Sequence, residues 1–122
     1  MSKTILMVDD SASVRQMVGM TLKQAGYNVV EACDGREALQ KAAANRVDAV
    51  ITDLNMPGMD GLSFIRQYRT TPASSGVPIV FLTTESDDAL KAQAKQAGAT
   101  GWMVKPFKPD QLLAIMRKIV GA

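Results

Sequence analysis

Five short apolar runs, each followed by a stretch of helical periodicity, limit what this chain can fold into more than any other feature. The runs are TILMV (4–8), NVVEA (28–32), VDAVIT (47–52), PIVFLT (78–83) and GWMV (101–104). They are short, rich in β-branched residues and bounded by turn or helix signals, so they read as strands. Between them apolar residues recur at helical spacing. Val14, Met17, Val18, Leu22 and Ala25 share one face, with Gly26 as a stop. Ala38, Leu39 and Ala42 mark a second helix after the Asp34-Gly35 turn, and Leu62, Ile65 and Tyr68 a third. Leu90, Ala94 and Ala97 mark a fourth, with Asp87 and Asp88 in its first turn and Gly98 after it. Leu112, Leu113, Met116, Ile119 and Val120 mark a fifth. Strands return at intervals of about 20 to 30 residues, the size of a βα unit. Near-continuous apolar strands imply an α/β fold, a parallel sheet covered by helices on both faces. Ligands of such sheets sit beyond the carboxyl ends of the strands, where the strand order reverses.

No linker, repeat or low-complexity segment interrupts the pattern, so residues 1–122 are expected to form one domain without an output domain. The loosest stretch is the polar RTTPASSGVP (69–78). A net charge of +2 with no dense basic run argues against nucleic acid. No apolar run approaches the roughly 20 residues of a membrane span, and MSKTILMVDD lacks the form of a secretory signal. Cys33 is the sole cysteine, which excludes an internal disulfide, fits a reducing cytoplasm and suggests a passive apolar filler. There is no histidine. Chemistry must come from carboxylates, hydroxyls and amines, or from a histidine on another molecule.

The strand ends carry such groups. Strand one ends in Asp9 and Asp10, strand three in Asp53, strand four in Thr83 followed by Thr84 and Glu85, and strand five in Lys105 followed by Pro106. Adjacent carboxylates repel by about 1 to 4 kcal/mol at roughly 4 Å, according to screening, so a cation belongs beside them. Three carboxylates suit Mg²⁺, which accepts one or two of them, keeps waters and shares phosphate oxygens. Asp53 is then a candidate nucleophile, since an aspartate can form an acyl phosphate. Lys105 and Thr83 could hold phosphoryl oxygens by charge and hydrogen bond. Taken singly, these residues have plainer uses: Asp9 and Asp10 as helix caps, Asp53 as a turn cap, Thr83 as a strand-end residue, Lys105 as a surface lysine.

VDDS (8–11), DLNMPGMDG (53–61), LTTE (82–85) and KPF (105–107), in this order and spacing, resemble the receiver domains of bacterial two-component response regulators, in particular stand-alone chemotaxis receivers. The resemblance spans essentially the whole chain. It implies a flavodoxin-like, five-stranded parallel sheet of order 2-1-3-4-5 with five helices, its switch point between strands one and three. It also implies that Asp53 accepts a phosphoryl group from a sensor histidine kinase. Asp9, Asp10, Asp53 and the backbone carbonyl of Asn55 would hold Mg²⁺. Thr83 and Lys105 would bind the phosphoryl group, the Lys105–Pro106 peptide would be cis, and Asn55 and Glu85 would tune the phosphoryl lifetime.

Trp102 stands where these receivers usually carry Tyr or Phe, the aromatic that swings inward on activation; it reads equally as cover for the core edge. Lys91, Lys95 and Lys108 could form a basic partner face near it. The resemblance implies a cytoplasmic monomer, a chemotaxis-type kinase as donor, a phosphatase and the flagellar motor switch as partners. A phosphorelay intermediate or phosphate sink would use the same site. An aspartate-nucleophile phosphatase would want an acid two residues after its nucleophile on strand one, where Ser11 and Ala12 stand. A flavin carrier would want a phosphate loop that DDSAS does not offer.

Overall fold

The computed structural model describes residues 3–54, 56, 58–84 and 88–120. Its elements are β1 (Thr4–Val8), α1 (Ala12–Gln24), β2 (Asn28–Ala32), α2 (Gly35–Ala44), β3 (Ala49–Asp53), α3 (Gly61–Arg69), β4 (Ile79–Thr83), α4 (Asp88–Ala97), β5 (Gly101–Val104) and α5 (Pro109–Ile119). All strand pairs are parallel, in the order β2-β1-β3-β4-β5. No helix among the described residues is long and apolar enough to cross a membrane.

Alternate strand residues face opposite sides of a sheet, and here both sides are covered. Leu6, Val8, Val50 and Ile79 pack with Ala38 and Ala42 of α2 and Phe64, Ile65 and Tyr68 of α3. Ile5, Met7, Ile51, Val80 and Leu82 pack with Val18 and Leu22 of α1 and Leu112 and Met116 of α5. A third cluster joins Leu54 and Phe81 to Ala94 of α4. Full burial of one such side chain stabilises by about 1.5–3 kcal/mol. That gain is concentrated in β3 and β4, buried at every residue, while the edge strands β2 and β5 are only partly covered.

Several sequence expectations shift. Strand three begins at Ala49, two residues later than the apolar run; Asp48 just ahead of it clasps Thr4, its N–H donating to the Thr4 carbonyl and its carboxylate accepting the Thr4 N–H, each at 2.8 Å. The strand runs on to Asp53, so that carboxylate is placed by the sheet itself. Ala25 lies past the end of α1 and is exposed, outside the face assigned to it. The polar stretch 69–78 holds a short 3₁₀ turn, Pro72–Ser74, with Ser74 and Val77 buried. Cys33 is exposed, so it fills no core. Of the methionines, Met7, Met56, Met103 and Met116 are core, whereas Met20 is exposed on α1.

Helix ends follow local chemistry. Ser11, Asp34 and Asp60 cap α1, α2 and α3 by accepting N–H groups of Val14, Glu37 and Ser63. Gly98 ends α4 at φ 116°, with the Gly98 and Ala99 N–H groups returned to Lys95 and Ala94 carbonyls. Gly61 has a different reason. A Cβ there would collide with the Asp53 carbonyl and lie 2.8 Å from Leu54 Cα. The close approach seats the start of α3 directly on the end of β3. Gly61→Ala is therefore expected to cost about 1–3 kcal/mol by overpacking, read as a lower urea midpoint at unchanged slope, and to shift the Asp53 amide resonance.

Candidate functional site

The carboxyl edge of the sheet gathers the charged groups. Asp9 extends β1 by one residue, its N–H bonded to the Ala32 carbonyl at 3.1 Å, and is fully buried. Its Oδ1 accepts the Ser11 N–H at 2.9 Å and its Oδ2 accepts from Lys105 Nζ at 2.9 Å. Asp53, on the neighbouring strand and 6% exposed, lies with Oδ2 3.3 Å from the same Nζ. Asp10 is exposed at the mouth. One oxygen from each of Asp9, Asp10 and Asp53 falls within 4.8 Å of the others.

Lys105 is brought there by β5. Its N–H donates to the Thr83 carbonyl at 2.7 Å, and the Lys105–Pro106 peptide is cis. Partial burial pulls its ammonium pKa down, but the hydrogen bond to Asp9 and the charges of Asp53 and Asp9 outweigh that, and the net shift is upward. Thr83 is buried at the end of β4, one residue beyond the Leu82 that pairs with Asp53. The sheet thus unites Asp9, Asp10, Asp53, Thr83 and Lys105 at one edge. Asn55 and Glu85, expected to tune the site, lie outside the described residues, as does Asp87, expected in the first turn of the fourth helix.

This donor set fits a hard divalent cation. Octahedral Mg²⁺ at about 2.0–2.1 Å places adjacent ligands roughly 3.0 Å and opposite ligands roughly 4.2 Å apart, and carboxylate oxygens within 4.8 Å of one another are close enough for side-chain rotation to bring them onto one ion. Asp10, Asp53 and Asp9 could hold the ion, with water at the remaining positions.

The expected partner face is brought together in part. Trp102 on β5 is 46% exposed, its ring stacked on Phe81 at 6.4 Å between centroids, with Lys91 Nζ 4.3 Å above it. A cavity of about 140 Å³ beside it is lined by Phe81, Lys91, Lys95, Thr100 and Trp102. Lys108 is not part of this group; it sits at the start of α5, where its N–H donates to the Gln111 side chain. Two residues were not singled out in the sequence. Phe81 passed as one more apolar strand residue. Arg15 donates to the Asp9 carbonyl at 2.6 Å, and the signal for it was a cation in the first turn of a helix, where the dipole disfavours one.

A parallel doubly wound sheet with three carboxylates and a lysine at the carboxyl edge of its strands places its polar groups where sheets of this class bind ligands. The chain belongs to the response regulator receiver domain family, whose model matches residues 5–117. It is 47% identical to the chemotaxis protein CheY4 of Vibrio cholerae, at a TM-score of 0.95 over 98% of this chain and 99% of that one. The receiver domain of sensor histidine kinase PA1611 from Pseudomonas aeruginosa, solved with a magnesium ion coordinated in its active-site cleft, is 30% identical at a TM-score of 0.90, both chains fully covered. Response regulator MprA of Mycolicibacterium vanbaalenii is 41% identical over 116 residues, and DNA-binding response regulator MtrA of Mycolicibacterium paratuberculosis 39% over 117. Those matches cover 95% and 96% of this chain but 49% and 51% of the relatives, so the chain spans about half their length.

Lys105 yields a pH prediction. A raised folded pKa gives stability that is fully present below the ordinary value of 10.5 and lost as pH rises through the folded value. In EDTA at pH 7, Lys105→Met should lower unfolding stability by about 1–3 kcal/mol, because two buried carboxylates lose their cation. The gap between wild type and variant should stay flat up to about pH 9 and close above the ordinary lysine pKa, as read by urea melts across pH.

Proposed function

We propose that this receiver domain accepts a phosphoryl group on Asp53 from a phosphohistidine of a sensor kinase, and signals by a phosphorylation-dependent change in binding. The observation that carries this reading is the convergence of Asp9, Asp10 and Asp53 around Lys105 at the carboxyl edge of the sheet. An Asp53 carboxylate oxygen attacks phosphorus. The P–O bond forms as the P–N bond breaks, and the released imidazole keeps the electron pair and takes a proton from solvent. Lys105 meets the phosphoryl oxygens by charge and Thr83 by its hydroxyl. Asp10, Asp53, Asp9 and the Asn55 carbonyl would hold Mg²⁺, which would supply charge neutralisation at those oxygens. Asn55 and Glu85 set how fast water removes the group. The domain is a switch and not a classical enzyme.

The output reading places the partner surface at Trp102, Lys91 and Lys95. The likeness to a chemotaxis protein over nearly its full length supports a chemotaxis output, with the flagellar motor switch as target. One mycobacterial relative is named a response regulator and another a DNA-binding response regulator, and neither name points to chemotaxis; a relay or phosphate sink serving another pathway is the second reading.

Radiolabelled acetyl phosphate with Mg²⁺ should label the wild-type chain with a hydroxylamine-labile bond. Asp53→Asn or excess EDTA should reduce the label to background; label retained in Asp53→Asn would overturn the acceptor assignment. Loading with beryllofluoride, a phosphoryl mimic, should change Trp102 fluorescence in wild type and not in Asp53→Asn. If the loaded form then binds an N-terminal peptide of the motor switch protein more tightly than the unloaded form, the chemotaxis output stands. If loading leaves that binding unchanged and phosphoryl instead passes to a second histidine protein, the relay reading replaces it.

A further inference from the structure

Arg15 lies in the first turn of α1, where exposed N–H groups give a positive potential and a cation is out of place unless something holds it. Two groups do. Nη1 donates to the main-chain carbonyl of Asp9 at 2.6 Å, and Nε lies 3.6 Å from the Glu31 carboxylate on β2. The Asp9 carbonyl stands just past the end of β1, beyond the strand's own ladder, and Arg15 is its donor among the described residues. That carbonyl belongs to the peptide joining Asp9 to Asp10. Fixing the plane of this peptide fixes ψ of Asp9 and φ of Asp10, and so the directions in which both carboxylates leave the chain.

We propose that Arg15, itself braced by Glu31, is a positioning residue for divalent-cation binding: it orients the Asp9–Asp10 peptide so that both carboxylates face the ion. The proposal rests on the reading that Asp9, Asp10 and Asp53 hold the metal. Arg15 touches neither metal nor phosphoryl group; it acts through the peptide. Two opposing effects make the idea testable by sign. As a bare positive charge near the pocket, Arg15 repels a cation, so its removal would tighten binding. As an orienting group, its removal loosens binding. Lysine keeps the charge but is a point donor, and cannot reproduce a fork that meets a carbonyl and a carboxylate together.

The test is calorimetric titration of Mg²⁺ into the full chain for wild type, Arg15→Ala, Arg15→Lys, Glu31→Gln and Asp10→Asn. Circular dichroism and urea melts in EDTA accompany it, so that affinity is compared only among folded proteins. Loss of an orienting partner outside the ligand shell typically weakens metal affinity 10- to 100-fold. Arg15→Ala and Arg15→Lys should both weaken Mg²⁺ by about tenfold, and Glu31→Gln by less in the same direction. Unchanged or tighter binding in Arg15→Ala, or full rescue by lysine, would overturn the positioning role. If Arg15→Ala does not fold, Arg15→Lys and Glu31→Gln decide by the same criterion. Absence of Mg²⁺ binding in wild type, or wild-type affinity in Asp10→Asn, would overturn the metal reading itself and the role of Arg15 with it.

Discussion

The contact on which the site depends is the ammonium of Lys105 between the carboxylates of Asp9 and Asp53, at 2.9 and 3.3 Å. Two nearly buried acids on adjacent strands repel strongly in a medium less polar than water. One cation, delivered from a third strand, allows them to coexist. The sheet makes this affordable, since strand order β1-β3-β4-β5 sets the distance the lysine must reach across.

Much of this was legible in the chain. The five apolar runs, their helical partners and the polar residue closing four of the five strands were readable because periodicity and strand ends are local properties. Asp9, Asp10, Asp53, Thr83 and Lys105 are scattered over some hundred positions, yet a parallel sheet sends every strand's carboxyl end to one edge, so local reading sufficed to collect them. Other features were not local. Asp48 clasps Thr4 just ahead of strand three, a partner 44 residues away. Cys33 is exposed because β2 ends at Ala32, the last buried position of an edge strand. Lys108 shares a charge with Lys91 and Lys95 but not a surface, because the turn into α5 carries it elsewhere.

Arg15 and Gly61 illustrate a further limit. Both act on main-chain atoms of acidic residues, Arg15 on the Asp9 carbonyl and Gly61 by its close approach to that of Asp53. Sequence patterns speak of side chains; they are nearly silent about which carbonyl needs a donor or which backbone must be approached within van der Waals distance. Support for a site is therefore harder to read than the site.

The short fifth strand has a consequence of another kind. A sheet that ends in a four-residue strand offers a neighbouring molecule few free main-chain groups to pair with. The Lys105 N–H makes the last bond to β4, at the Thr83 carbonyl, and Pro106, immediately after, has no N–H to donate, so the ladder gains no further donor there. The residue pair that brings the ammonium to Asp9 and Asp53 thereby also ends the pairing of the sheet at this edge strand.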